Sequence, residues 1–310
     1  MTQVCRICLA ELPEKGSHYH PKCLRELFGI SKPPTIAIDH AKLVEQARPM
    51  VGFVSLSGVQ QKLSMRLTSD KKSLEVASSG LQYILKPQVS TYPNLPENEA
   101  LAMRIARLAG IEIPPSGLIE LSDGSLAYIT KRFDRGQNGE KFRMEDFCQL
   151  AELPPKEKYQ GSFEHCAKII KKYASAPIIQ LSKLFKLVAF SWWIGNEDLH
   201  RKNLSLLVTT TGDVVLSPAY DIVSSRLHFK ERELALKLNG KDKKITLSDW
   251  QYFATKCDLK PQVSTKILEG LVKLTGPACD LIGASFLPDA QKQELQELVS
   301  KNSRILEESG

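Results

Sequence analysis

The sequence lacks a charged start followed by an apolar stretch, so nothing in it reads as a secretory signal. It also lacks an apolar run long enough to cross a bilayer; residues 184–195, the most apolar stretch, are too few and include Lys186. These absences give the expectation of a protein that is cytosolic in the cell where it works, with no membrane partner. A strong charge of one sign is missing too. The 42 basic and 35 acidic residues leave a formal +7, which suits a nucleotide, an acidic protein or a nucleic acid without selecting among them. Neither GxGxxG nor a Walker A Gly-Lys-Ser/Thr occurs, which removes two familiar phosphate-binding loops. With no secretory signal, the seven cysteines read as thiols or metal ligands rather than a disulfide framework.

What is present is ordinary in bulk and specific in places. The 310 residues, 42% hydrophobic and 25% charged, suffice for one large two-lobed unit or two domains. Residues 191–226 organise the rest. They hold Asp198-Leu-His-Arg-Lys-Asn203 and Pro218-Ala-Tyr-Asp221, separated by two apolar runs that flank Thr209-Thr-Thr-Gly-Asp213. This pattern predicts a hairpin over residues 204–216 that returns Asp221 towards Asn203 and leaves Asp198 on the loop before the first strand. Two carboxylates and an amide so gathered suit phosphoryl transfer. Asp221 and the Asn203 carbonyl are hard oxygen ligands for Mg²⁺, and Asp198 is an acceptor for a hydroxyl proton. The competing reading is a polar hairpin with solvated acids.

Upstream, Cys5-x-x-Cys8 and His20-x-x-Cys23 are paired donors whose spacing lets both members of each pair turn to one tetrahedral metal. Structural Zn²⁺ there competes with plain reduced thiols, and His18 is an alternative to His20. Residues 24–28 read as a helical end, and the prolines in 31–35 as a linker. Ser55-Leu-Ser-Gly58 is a small-residue loop leading into a strand at 63–67; its backbone N–H groups can approach phosphate, with Gln60 and Lys62 adding donors, although an ordinary turn also fits. A strand over 81–88 carries Lys86, and a helix follows from Pro96 to Gly110 with Glu97 and Glu99 in its first turn. Either acid could pair with Lys86, and Glu99 is the preferred one. A hairpin over 116–121 and 126–131 then leads to Lys131-Arg-Phe-Asp-Arg135. From Met144 the pattern turns helical, over 145–153, 163–173 and the apolar 180–195 that runs into Asp198. Residues 230–244 read as a charge-rich solvated hairpin with alternation at 234–238, before helices at 248–257, 263–274 and 288–308.

Six stretches in one order resemble the HipA-like serine/threonine kinases, toxins of bacterial toxin–antitoxin modules. They are SLSGVQQK (55–62), YILKP (83–87), PENEALAMRIARLAGIEIP (96–114), KRFDR (131–135), EDLHRKN (197–203) and PAYDIVS (218–224). The chain looks like the shorter HipT type, in which an N-terminal subdomain of the longer kinases is supplied by a separate small HipS-like protein. The resemblance implies an α+β, bilobal protein-kinase-like fold with a strand-rich N-lobe over 31–135 and a mostly helical C-lobe over 136–310; the Cys/His segment ahead of them, read as a cap over 1–30, stands where the full-length kinases carry their additional subdomain. It implies an ATP- and Mg²⁺-dependent protein serine/threonine kinase in which Asp198 is the catalytic residue, as base or as the acid that orients the hydroxyl, and Asn203 and Asp221 hold Mg²⁺. Lys86 would hold phosphate oxygens, and the backbone of Lys131 and Phe133, beside Arg132, would meet adenine. Ser57, Gly58, Val59, Gln60, Gln61 and Lys62 would line the nucleotide together with His200, Arg201, Lys202 and Tyr220. Ser55 falls where the family autophosphorylates, with Ser57 as a second hydroxyl, and a phosphate there would oppose those of the nucleotide.

An aminoacyl-tRNA synthetase is the implied target. A HipB-like antitoxin, a HipS-like protein or both are the implied partners, and direct nucleic-acid contact is not expected. The implied location is the bacterial cytoplasm, or a host cytosol if the chain is exported by a signal-independent route. The alternatives are a degraded kinase fold that only binds a partner in an antitoxin–DNA complex, and a kinase for lipids or small molecules. Joint presence of Lys86, Asp198, Asn203 and Asp221 argues against the first.

Overall fold

Alternating apolar residues build a sheet in the first half of the chain. The computed structural model describes residues 3–13, 16–36, 62–136, 139–229 and 232–307. It divides into two compact units, one of Met1–Arg104, Pro114–Lys141 and Gly283–Leu287, the other of Ile105–Ile113, Phe142–Ile282 and Pro288–Gly310. In the first, β1 (Thr35–Ile36), β2 (Leu63–Leu67), β3 (Ser73–Val76), β4 (Tyr83–Lys86), β5 (Ser116–Glu120) and β6 (Leu126–Lys131) form one sheet in the order β1-β3-β2-β4-β6-β5. Only β1 pairs in parallel, with β3. The strand carrying Lys86 lies between β2 and β6, so both of its edges are hydrogen-bonded.

Period two puts Leu63, Met65, Tyr83, Leu85, Ala127 and Ile129 into one core. The N-terminal Cys/His segment and α1 (Pro21–Phe28) supply the opposing wall, with Cys5, Tyr19, Cys23, Leu24, Leu27 and Phe28 in that same core. The approach is close enough to require glycine at 117, where a Cβ would lie 2.7 Å from Ile7 Cγ1 and 3.1 Å from Arg6 O. The helix α2 (Leu95–Leu108) follows β4 and carries Glu97 and Glu99.

The second unit is helical around α5 (Pro177–Ile194), which buries residues on every side. Its aromatic side chains meet those of α6 (Leu247–Lys256): Phe185 stacks on Phe253 at 5.6 Å, and Trp192 meets Trp250 edge to face at 5.6 Å, while Phe163 of α4 (Phe163–Tyr173) lies 6.3 Å from Phe253. The unit is completed by α7 (Pro261–Lys273), α8 (Thr275–Ala284) and α9 (Asp289–Glu307). A small sheet, β7 (Met144–Asp146), β8 (Ser205–Val208) and β9 (Val214–Leu216), has β8 in its centre. Among the described residues no helix is long and apolar enough to cross a membrane.

Two local expectations are corrected. Residues 145–153 do not form one helix. Met144–Asp146 pairs with Ser205–Leu207 as β7, and Asp146 then caps the single turn α3 (Phe147–Leu150) by accepting from Gln149 N. The alternation at 234–238 makes no strand, because Leu234, Ala235, Leu236 and Leu238 are all buried and only isolated bridges form, Ser162 with Lys237 and Leu238 with Lys241. The stretch left between the helices at 263–274 and 288–308 carries a further helix, α8; Pro277 sits near its start, where no intrahelical N–H bond is lost.

Candidate active site

In the first unit, pairing on both edges of β4 buries Lys86, whose ammonium reaches Glu99 Oε1 of α2 at 2.5 Å. The two residues are 3% and 0% exposed, so this is an interior ion pair. Lys86 Nζ also stands 5.4 Å from the centre of the Tyr128 ring across the ladder. Glu97 does not take part. Burial pushes its carboxyl up, and its Oε2 has no hydrogen-bond partner among the described residues.

Lys131 closes β6, and Arg132 N donates to Gln82 O at 2.8 Å. The Arg132 guanidinium forks onto Asp134 at 2.9 and 2.6 Å, with Arg135 at 2.7 Å on the same carboxylate. Burial alone would raise the Asp134 carboxyl, but these guanidiniums hold it below the usual range. Arg132 is therefore committed within its own turn. Lys62 leads directly into β2, while Ser55, Ser57, Gly58, Val59, Gln60 and Gln61 lie outside the described residues.

In the second unit, α5 ends at Gly195, which adopts φ +77°; a Cβ there would lie 2.5 Å from Leu298 Cδ2. That left-handed residue turns the chain sharply into Asn196-Glu197-Asp198. Glu197 is locked by Arg226 at 2.7 Å and by Arg232 N at 3.2 Å, although burial still holds its carboxyl above the usual range. Asp198 is 5% exposed and accepts a short hydrogen bond from the Tyr159 hydroxyl. His200 Nε2 stands 3.9 Å from Asp198 Oδ1 and edge-on to the Tyr159 ring at 5.0 Å. Asn203 donates Nδ2 to Asp198 O at 3.0 Å, which leaves its side-chain oxygen available to a ligand.

The hairpin then does what the spacing requires. Leu206 pairs with Leu216, and Ser217 N donates to Ser205 O at 2.9 Å. Tyr220 donates its hydroxyl to Lys202 O at 3.0 Å and shares a 2.6 Å bond with Ser205, so the neighbour of Asp221 is tied to the neighbour of Asn203. Asp221 itself has φ +56°, a conformation unusual for a residue with a Cβ and characteristic of functional sites. Lys202 bonds Asp146 at 2.9 Å. Arg201 is 4% exposed and gives its Nε to Gln160 O at 2.8 Å, filling the space beside Gly161. Its Nε thus ties the catalytic-loop candidate to the loop that carries Tyr159.

Tyr159 is the functional candidate that the sequence reading missed. It lies 39 residues before Asp198, in a loop without a motif, and only the fold brings them together. It also lines a cavity of about 980 Å³ with His165, Lys168, Arg232, Lys237 and Lys256 on its wall.

The cysteine pairs also meet. The ligand atoms of Cys5, Cys8, His20 and Cys23 all lie within 4.8 Å of one another. His18 is turned away, its Nδ1 3.1 Å from Gln3 Nε2.

A lysine held by strand and helix in a sheet-based unit, with oxygen donors behind a buried helix in a helical one, belongs to the α+β protein-kinase-like class. A solved structure agrees on the fold: HipA of Shewanella oneidensis, determined with HipB and its operator DNA, superposes with a TM-score of 0.71 at 20% identity, covering 97% of this chain and 78% of that one. The chain belongs to the HipA-like kinase family, its residues 54–276 matching the HipA-like C-terminal domain. Relatives include two putative kinases of Sinorhizobium fredii. Y4mE is 28% identical over 241 residues, 73% of this chain and 56% of that protein. Y4dM is 31% identical over 246 residues, 73% of this chain and 59% of that protein. The serine/threonine-protein kinase toxin HipA of Shewanella oneidensis is 24% identical over 209 residues, 60% of this chain and 47% of the toxin. The chain thus spans about half the length of the curated relatives it matches.

Proposed function

We propose that the chain is an ATP- and Mg²⁺-dependent protein serine/threonine kinase acting as a HipT/HipA-type toxin. The arrangement of Asp198, held by Tyr159 and bonded through its carbonyl to Asn203, carries this reading. Residues 31–135 serve as the N-lobe and 136–310 as the C-lobe, with 1–30 as a cap on the former. The Asn203 oxygen and the Asp221 carboxylate form a hard donor set that fits Mg²⁺, and the positive φ of Asp221 is a conformational cost that such a role explains. Bound there, Mg²⁺ would supply charge neutralisation at the transferring phosphoryl group.

The chain's own residues do the rest. Lys86, fixed by Glu99, holds phosphate oxygens, and the backbone around Lys131 and Phe133 meets adenine. Asp198 orients the acceptor hydroxyl and takes its proton as that oxygen bonds to the γ-phosphorus and the bond from phosphorus to the bridging oxygen breaks, releasing ADP; Tyr159 fixes the carboxylate in place. On the cavity wall beside Tyr159, Lys168, Arg232, Lys237 and Lys256 outnumber Glu164 and Asp242, which suits an acceptor segment with an acidic bias, in keeping with a protein substrate. An aminoacyl-tRNA synthetase is the proposed substrate, and a HipB-like antitoxin the proposed partner, as HipB accompanies HipA in the Shewanella complex.

Transfer from γ-labelled ATP, compared between wild type and Asp198→Gln, tests the reading. The variant should lose about 10²-fold or more. Phosphopeptide mapping of the same reaction should find label on Ser55 or Ser57. Equal transfer by the two proteins would sink the catalytic assignment, and label on neither serine would remove the proposed autophosphorylation site.

A further inference from the structure

Beyond the phosphoryl-transfer residues, the Cys5, Cys8, His20 and Cys23 cluster has the makings of a closed metal site. Four donors around a tetrahedral Zn²⁺ lie roughly 3.5–3.8 Å apart, given Zn–S near 2.3 Å and Zn–N near 2.0–2.1 Å. The cluster, with every ligand atom within 4.8 Å of the others, needs only a small contraction to reach that geometry. Three thiols and one imidazole complete the coordination, so no position remains for water, the mark of a structural rather than a catalytic site.

Second-layer contacts point the same way. His20 Nε2 bonds Glu11 O at 3.0 Å. A carbonyl can only accept, so the ring proton sits on Nε2 and the Nδ1 lone pair faces Cys8 Sγ, 3.3 Å away. Metal-bound imidazoles are oriented by this kind of bond. His20 N donates to Cys5 Sγ at 3.4 Å, as backbone amides do to thiolates. Leu9, at φ +61°, closes the Cys5–Cys8 turn with its N–H on Cys5 O at 2.9 Å, and Cys23 enters in the first turn of α1.

The turn so formed is fastened to two elements of the same unit. On β5, Leu118 N donates to Arg6 O at 2.9 Å, Arg6 pairs with Glu120 at 2.5 Å, and Tyr19 donates its hydroxyl to Leu118 O at 3.2 Å. On α2, Arg104 Nε donates to Cys8 O at 3.1 Å, in the helix that presents Glu99 to Lys86. We propose that Cys5, Cys8, His20 and Cys23 bind one structural Zn²⁺, and that this metal staples the start of the chain to β5 and to α2. The proposal does not depend on the phosphoryl-transfer reading.

Metal analysis of the reduced, full-length protein should find stoichiometric zinc. Replacement by Co²⁺ should give the visible absorption of tetrahedral, thiolate-bound cobalt. Cys23→Ser and His20→Ala should lose the metal, whereas His18→Ala should keep it. Stripping zinc from the wild type should speed hydrogen exchange in β5 and α2, and restoring Zn²⁺ should reverse this. Because the cobalt spectrum is read on the unmutated chain, a variant that fails to fold leaves the test intact. Substoichiometric metal after reconstitution, or an octahedral cobalt spectrum, would overturn the site. Unchanged exchange on stripping would overturn the staple.

Discussion

Lys86 and Glu99 show how much one buried pair can constrain. Neither side chain has appreciable access to water, so removing one partner leaves an unpaired charge in the interior. Lys86→Met should therefore cost about 3–5 kcal/mol in urea unfolding, the range for a broken interior pair. Lys86→Met combined with Glu99→Gln removes both charges and should recover most of that stability while phosphoryl transfer stays lost. If the double variant were as unstable as the single one, burial of an unpaired carboxylate would not be the cause. The lysine strand and the acid-bearing helix were legible, with Glu99 preferred, but the sequence did not decide between Glu99 and Glu97. The fate of Glu97, half-buried with an unpartnered oxygen, was not legible either, because one turn of helix decides which side faces the strand. Tyr159 was equally invisible, having no motif around it, and so was the bond from Arg201 to Gln160 in the same loop.

At the scale of elements, the helix α6 starts with a reciprocal cap. Asp249 accepts from Thr246 N at 2.9 Å, from Asn239 Nδ2 at 2.8 Å and from Lys241 Nζ at 2.9 and 3.0 Å. Burial alone would raise this carboxyl, yet the bonds from Lys241, Asn239 and Thr246 hold it down at about 2. A carboxylate lowered by folding contributes fully above its unfolded value of about 4, and the contribution fades as pH falls through about 2. Asp249→Asn should flatten the dependence of stability on pH across that acid window, with little change in its slope above it, as read by thermal melts. A slope unchanged from wild type would refute the role. The same contacts explain why residues 232–244 are more than a solvated hairpin: the lysines are exposed, but Lys241 reaches the capping Asp249 and the leucines fill a core. Long apolar or amphipathic helices and the motif-bearing strands could be read from periodicity, whereas a three-residue strand such as β7 has too few residues to show one.

For the whole molecule, the order of motifs along the chain carried the fold class, since strand lysine, helix acid, buried helix and hairpin follow one another as a kinase requires. Sequence order could not show that α9 supports the chain leading into Asp198. Asn302 of α9 donates Nδ2 to both Trp192 O and Trp193 O at 3.1 Å, and Ser303 receives the Trp193 indole N–H at 2.8 Å. These bonds hold the end of α5, one residue before Gly195 turns the chain towards Asp198. A chain ending at Lys301 loses them, each worth about 1–3 kcal/mol once a buried partner is orphaned. Its phosphoryl transfer should fall about tenfold or more while circular dichroism keeps most of the helical signal. Retained activity would show that α5 holds its end unaided. Proteolytic trimming of the carboxy-terminal tail therefore offers a way to silence the chain from its far end, without an inhibitor and without touching any acidic motif.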